Sequence, residues 1–240
     1  MWATGLERKM NLKLLASTQR TALLRVAQAY RTTSTDALCV ITGQIPLDLV
    51  IREREWIYMK KKGTVECTTE VVKNIKNEAR EVTLGKWQQR WEESDKGRWI
   101  YALIPRLKEW ILWGPQTLNF HLTQVLTGHG CFGTFLWKKA RKQANAECWF
   151  CPDLEDSPEH FLFECSRWKN ERLTLCTKLG VNINRNNFIK LLRDGTKREG
   201  IIKHVVSTLR DKEAYESGRQ REENRVRGVP PTGRRAGRRI

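Results

Sequence analysis

Residues 148–165 read CWFCPDLEDSPEHFLFEC, and they hold three of the chain's seven cysteines and one of its four histidines. The spacing is Cys148-x2-Cys151-x8-His160-x4-Cys165. Two thiolates separated by two residues can grip one ion from a tight turn, and a histidine and a cysteine from an adjoining helix start can complete a tetrahedron. Ser157-Pro158 supplies that start, an N-cap followed by proline at the first helical position. Four soft or borderline donors with no fifth candidate nearby describe a closed structural zinc site rather than a catalytic one. The plainer account, buried cysteines beside an unrelated histidine, fits this combination of donors and spacing poorly. The other cysteines, Cys39, Cys67, Cys131 and Cys176, are scattered singly and read as packing residues.

Outward from the knuckle, charge sets the next constraint. The 240 residues carry 44 Lys and Arg against 27 Asp and Glu, a formal net charge of +17. Such an excess favours a polyanionic partner, nucleic acid being the commonest. No apolar run is long enough to span a bilayer, and no signal-peptide core stands at the N-terminus, so no membrane partner is expected. An odd cysteine count with a clustered trio points to a reducing compartment rather than a secreted disulfide framework. Within the knuckle itself lie Asp153, Glu155, Asp156, Glu159 and Glu164 and no Lys or Arg, so that loop repels phosphate. Nucleic-acid contacts are therefore expected from its flanks, Lys138, Lys139, Arg141 and Lys142 before it and Arg167, Lys169 and Arg172 after it. Trp149 and Phe150 are expected to add base stacking.

The rest of the chain reads as mainly α. Leu12, Leu15, Leu23, Val26 and Tyr30 share one helix face, Asp36 opens a short helix that Gly43 closes, and a helix after Pro46 ends at Lys60, Lys61, Lys62 and Gly63. A longer helix carries Val72, Ile75, Ala79, Val82, Trp87 and Trp91 along one side. Extended character is expected only at 99–104, before Pro105. Five tryptophans (Trp87, Trp91, Trp99, Trp110 and Trp113) crowd one stretch among basic residues. They read either as an aromatic core or as a stacking surface, and their helix-face spacing favours the core. His121 reads as a packing histidine, and Thr127 to Gly130 as either a helix-ending turn or a functional loop. Residues 217–240 hold eight arginines and two glutamates with two prolines and four glycines, the composition of a disordered basic tail.

These residues also carry a resemblance. The ordered set AYRTTSTDALCVITGQIPLDLVIRER, KGRWIYALIP, LTQVLTGHGCFGTFL, the Cys-Cys-His-Cys cluster and FECSRW resembles the C-terminal part of the Pol-like polyprotein of non-LTR retrotransposable elements. The nearest type is the one that inserts at a fixed site in ribosomal RNA genes, and the likeness covers roughly residues 10–175. It implies a parent with endonuclease and reverse transcriptase (RNA-directed DNA polymerase) domains, acting in target-primed reverse transcription and transposition. It also implies a gag-like cysteine motif whose ligands fall on Cys148, Cys151, His160 and Cys165. Two-metal polymerase catalysis needs a cluster of aspartates, and this sequence has seven scattered Asp and no Asp-Asp pair. The catalytic domains and their Mg2+ are accordingly expected upstream of Met1, with no catalytic residue in the present chain.

The expected organisation is a helical thumb-like or connector region at 1–85, a Trp-rich helical linker region at 86–143 and the zinc knuckle at 144–175. C-terminal helices follow at 176–216, then the tail at 217–240. The expected partners are element RNA, target DNA and the upstream domains, with assembly on element RNA in the cytoplasm and action in the nucleus. A stand-alone zinc-knuckle RNA-binding protein and a purely structural helical scaffold are the competing readings.

Overall fold

The computed structural model describes residues 3–64, 68–112 and 118–226, and it is mainly α-helical. The chain divides into two compact units, Met1–Leu118 and Asn119–Ile240.

The first unit opens with a 3-10 turn at Ala3–Glu7 and then α1, Lys9–Val26. Its buried anchor is polar. The Gln19 amide donates to the Ile45 carbonyl at 2.9 Å and accepts the Leu47 N–H at 3.0 Å, which fixes α1 against the following link. Leu23 is buried as expected, but Val26 and Tyr30 are exposed, because α1 ends at Val26 and its apolar face ends with it. Next comes α2, Thr35–Thr42, capped by Ser34 and closed by Gly43 in the left-handed conformation, and every residue from Ala37 to Thr42 is buried. It is the centre of this unit. Around it pack α3, Leu47–Lys62, and α4, Thr69–Glu93, clamped by ion pairs from Arg80 to Glu53 and from Arg90 to Asp48.

Two short helices, α5 (Arg98–Leu103) and α6 (Leu107–Ile111), complete the unit. The extended segment expected at 99–104 is helical instead. Gly97 in the left-handed region turns the chain into α5, and burial of Ile100 and Leu103 outweighs the strand preference of its aromatic residues. Three of the five tryptophans are in the core, and Trp99 is half-buried. Trp87, Trp91 and Trp110 are buried, the Trp91 indole donates to the Ile104 carbonyl, and the Trp110 indole donates to the Val40 carbonyl. Trp113 and Cys67 lie outside the described residues.

The second unit starts with α7, Phe120–Thr127, and α8, Gly133–Lys138. Between them Gly128 ends α7 in the left-handed region, as the turn reading of Thr127 to Gly130 expects. A Cβ at Gly130, whose φ is +124°, would stand 1.7 Å from Gln124 Oε1. That same oxygen accepts the Cys131 N–H, so the turn is packed against α7. A two-stranded antiparallel hairpin follows, β1 (Glu147–Cys148) and β2 (Cys151–Glu155), which pairs Cys148 with Cys151.

After a short helix that ends in a π turn, His160–Glu164, come α9 (Lys169–Leu179), α10 (Arg185–Arg193) and α11 (Gly195–Val226). The core stripe of α11 is Ile201, Val205, Leu209, Lys212 and Glu216, spaced three or four apart. Residues 217–226, expected as the start of a disordered tail, continue α11. Arg219 bridges Glu216 and Glu223, and Arg225 pairs with Glu222, which ties successive turns together. Residues 227–240 lie outside the described residues.

Candidate metal centre and its flanks

The four residues singled out by spacing converge. Ligand atoms of Cys148, Cys151, His160 and Cys165 all lie within 4.8 Å of one another, and all four residues are buried. The Cys148 and Cys165 sulfurs are 3.8 Å apart, and those of Cys151 and Cys165 are 3.9 Å apart. These distances are far too long for a disulfide. They match the edge of about 3.8 Å that two thiolates span on a tetrahedron with metal–sulfur bonds of about 2.3 Å.

Local sequence explains the convergence. The hairpin turn Trp149-Phe150 brings Cys148 and Cys151 side by side. Ser157 Oγ accepts the His160 N–H at 3.0 Å, the cap expected at the helix start. Five residues on an α-helix would set His160 and Cys165 about 140° apart around the axis. The π turn corrects this: the Cys165 N–H donates to the His160 carbonyl at 2.7 Å, an i to i+5 bond that winds Cys165 back towards the histidine's side. Arg172 then donates both terminal nitrogens to the Cys165 carbonyl at 3.2 Å, which closes the turn.

The donors suit an ion better than they suit one another. His160 is 3% exposed, and neither ring nitrogen has a hydrogen-bond partner; Glu164 Oε2 stands 3.5 Å from Nδ1. A buried imidazole without partners is costly in a folded protein, and coordination removes that cost. The hydrogen bond from Cys165 holds the Cys148 thiol well below the ordinary cysteine value against its burial, and pushes the Cys165 thiol up. Cys151 Sγ accepts the Ser166 N–H at 3.3 Å, an outer bond of the kind that supports thiolate ligands. The cluster can therefore hold a metal ion, and four protein donors account for a closed site.

One residue that spacing alone did not single out anchors the centre to its unit. Asp156, at the end of the hairpin, is 3% exposed and pairs with Lys212 of α11, 6% exposed, at 2.7 Å. Its Oδ2 also accepts the Gly133 N–H at 2.8 Å, and its backbone carbonyl accepts the Thr134 N–H. Burial pushes the Asp156 carboxyl up against the pull of Lys212. Burial also opposes the Lys212 ammonium, but Asp156 outweighs it and holds the lysine above its usual value. Gly133 is the residue that lets this contact close, since a Cβ there would lie 2.8 Å from the Ala146 carbonyl oxygen.

The flanking residues divide into two groups. Lys139, Arg141, Lys142 and Lys169 are exposed, whereas Lys138 lies 3.7 Å from Glu155 and Arg172 is committed to the Cys165 carbonyl. Trp149 is 45% exposed, with the Arg219 guanidinium 3.9 Å from its ring centroid. Phe150 packs on Tyr215 at 4.8 Å, and Arg167 lies between the Phe150 and Trp168 rings while pairing with Glu171. Tyr215 and Arg219 thus join the aromatic and basic surface beside the Cys-Cys-His-Cys cluster. The signal for them was the i, i+4 spacing of Tyr215, Arg219 and Glu223, which crosses from the expected C-terminal helices into a stretch whose composition resembles a tail.

His121 is not part of this cluster; its Nε2 lies 3.4 Å from Glu213. Cys39 and Cys131 are buried thiols pushed up to about 12 by burial, as packing residues are.

The fold and the cluster define a mainly helical chain with a buried, thiol-rich Cys3His cluster, on a hairpin and a helix start, that can hold a metal ion. Its relatives give such a chain a particular source. Over 185 residues, 71% of this chain and 44% of the relative, it is 29% identical to the retrovirus-related Pol polyprotein from type-1 retrotransposable element R1 2 of Nasonia vitripennis. The corresponding R1 4 polyprotein of Nasonia vitripennis is 30% identical over 179 residues, 69% of this chain and 44% of the relative. The R1 polyprotein of Bradysia coprophila is 29% identical over 174 residues, 66% of this chain and 17% of the relative. The chain is thus homologous, over about 70% of its length, to part of the Pol polyproteins of R1 type-1 retrotransposable elements. It spans less than half the length of these relatives. No family model matches it, and no solved structure does. Among the described residues no helix is long and apolar enough to cross a membrane.

Proposed function

We propose that this chain is a nucleic-acid-binding part of a retrotransposon polyprotein, acting in target-primed reverse transcription, with structural zinc at Cys148, Cys151, His160 and Cys165. The observation that carries this reading is the surface beside the cluster. The turn between the first two cysteines presents Trp149 and Phe150 next to Arg167 and Arg219, on a chain of net charge +17 homologous to R1 Pol polyproteins. Zinc suits three thiols and one imidazole at these separations, and its chemistry here is to hold the turn rather than to activate water.

With Arg219 lying on the Trp149 ring and part of that residue still exposed, the indole can stack on an unpaired base while the guanidinium meets a phosphate. Lys139, Arg141 and Lys169 then serve as phosphate contacts that set orientation, and Arg167 adds a guanidinium held between rings. Element RNA and target DNA are the partners in this reading, the nucleus is the site of action after assembly on element RNA in the cytoplasm, and polymerase and endonuclease chemistry with its Mg2+ belongs to other domains of the polyprotein.

A salt titration of binding tests it, using zinc-loaded protein, single-stranded RNA and DNA, and a scrambled control. Trp149→Ala should weaken single-strand binding about tenfold at every salt concentration, as loss of one stacked base implies. Removing 227–240, with its five arginines, should weaken binding to all sequences alike and flatten the salt slope. Loss of sequence preference on removing 227–240, with preference intact after Lys139, Arg141, Arg167 and Lys169 are replaced together, would reverse these roles. Absence of any affinity at low salt would end the proposal.

A further inference from the structure

Beside the Cys-Cys-His-Cys cluster stands a second open ring. The hairpin turn supplies Trp149 and Phe150 at consecutive positions, and α11 supplies a partner for each. Arg219 lies over the Trp149 ring at 3.9 Å, and Tyr215 meets the Phe150 ring at 4.8 Å. Each pair leaves one large ring accessible, since Trp149 is 45% exposed and Tyr215 46%. Phe150 also holds the Tyr215 ring in place, so little side-chain freedom remains to be lost when a ligand settles on it.

Two features keep Tyr215 clear. Side chains on a helix lean towards its N-terminus, so the residues three and four positions on are the ones placed to cover this ring. The first is Gly218, and nothing stands within 4 Å of where a Cβ there would be. Glycine inside a helix is less stable than alanine, and neither a helix end nor a close contact calls for this one. The second is Arg219, which is committed to Glu216 and to the Trp149 ring.

The separation of the rings says what they take. Tyr215 and Arg219 are anchored about 6 Å apart along α11. Successive bases in a duplex strand stand about 3.4 Å apart and cover one another's faces, so two of them can reach two separate rings only when unpaired and parted. We propose that Tyr215 is a second stacking platform, so that this surface takes two neighbouring unpaired bases of a nucleic-acid strand, one on Trp149 and one on Tyr215. Arg167, beside Phe150, supplies positive charge for the backbone, whereas Asp211, one turn before Tyr215, repels phosphate and sets the strand towards the arginine. This inference rests on the nucleic-acid reading of the same surface.

The test measures binding of the full chain, purified with zinc, to four probes: oligothymidine, oligouridine, a strand of equal length whose sugars carry no bases, and a blunt duplex. The two base-bearing strands should bind in preference to the base-free one. Tyr215→Ala should weaken both about tenfold, as loss of one stacked base implies, and leave the base-free strand and the duplex unchanged. Loss on only one of the two would name that sugar type as the ligand. Tyr215→Phe keeps the ring and should restore the affinity. Gly218→Leu should also weaken the base-bearing strands by covering Tyr215, while raising thermal stability, an opposition that a merely structural tyrosine would not produce. Should Tyr215→Ala unfold the unit, Gly218→Leu carries the test. Tyr215→Ala or Gly218→Leu without effect in a wild-type background that binds, or an equal loss on the base-free strand, would overturn this inference alone. Wild-type protein that binds none of the probes at low salt would end the nucleic-acid reading and this inference with it.

Discussion

Replacing Asp156 with Asn is the sharpest perturbation of the second unit, because it removes one charge and almost nothing else. The Asp156–Lys212 pair at 2.7 Å has a gross attraction of about 6 kcal/mol at an effective dielectric of 20. The amide oxygen of Asn can still accept the Gly133 N–H, so the loss falls on Lys212, a residue that is 6% exposed. That lysine can escape only by shedding its proton, and lowering an ordinary lysine to neutral pH costs about 5 kcal/mol. A loss of about 3–5 kcal/mol is therefore expected, the usual range for breaking a buried pair from one side. Because the chain has two units, the assay is native-state hydrogen exchange read on peptides from 119–226, with zinc present throughout. Lys212→Met should also destabilise, and the double variant should cost less than the sum of the two singles, since no unpaired charge remains. A loss below about 1 kcal/mol for Asp156→Asn, or strict additivity in the cycle, would refute the view that the two charges depend on each other.

Cys151→Ser should abolish stoichiometric zinc in protein purified under reducing conditions and strip exchange protection from about 145–170, while Met1–Leu118 keeps its own; wild-type protein without metal by elemental analysis would be equally decisive against the site. His129, pushed down to about 4 by burial and by Lys139, should make the second unit lose stability as pH falls from about 6.5 to 4. In that window the unfolded state binds a proton that the folded state refuses, so the loss is bounded near 3 kcal/mol, and His129→Gln should remove its share of the slope in urea titrations at pH 7, 5.5 and 4. The purified chain should not extend a primer on an RNA template, since two-metal catalysis needs an aspartate cluster that this sequence lacks; extension that survives further purification would place the polymerase within it.

The four-residue cluster was legible because its signal is local: four donors within eighteen residues, with Ser157-Pro158 marking the helix start between them. The π turn was not, because nothing in HFLFEC distinguishes an i to i+5 bond from an α-helical one until Cys165 is called into the cluster. The tryptophan core was readable from helix-face spacing, whereas the 99–104 segment was not, since Trp, Ile and Tyr in a short run favour strand locally and only burial of Ile100 and Leu103 decides for helix. Composition misplaced the start of the tail for a similar reason. Charged residues without apolar neighbours suggest disorder, yet Glu216, Arg219 and Glu223 pair along α11, and Arg219 finds Trp149, seventy residues earlier in the sequence. Asp156 and Lys212 were invisible as a pair because their meeting depends on how α11 lies against the hairpin.

Those two residues are 56 positions apart, and the ordering matters for a chain made from its N-terminus. At roughly 5–20 residues per second, on the order of 3–11 s separates synthesis of the aspartate from synthesis of the lysine. For all but the first nine of those positions all four candidate ligands already exist, while Lys212, the cation that the folded unit sets against Asp156, does not. Gathering of the four donors and closure of the unit around them are thus separated in time. The first needs only residues up to Cys165, and the second waits for α11.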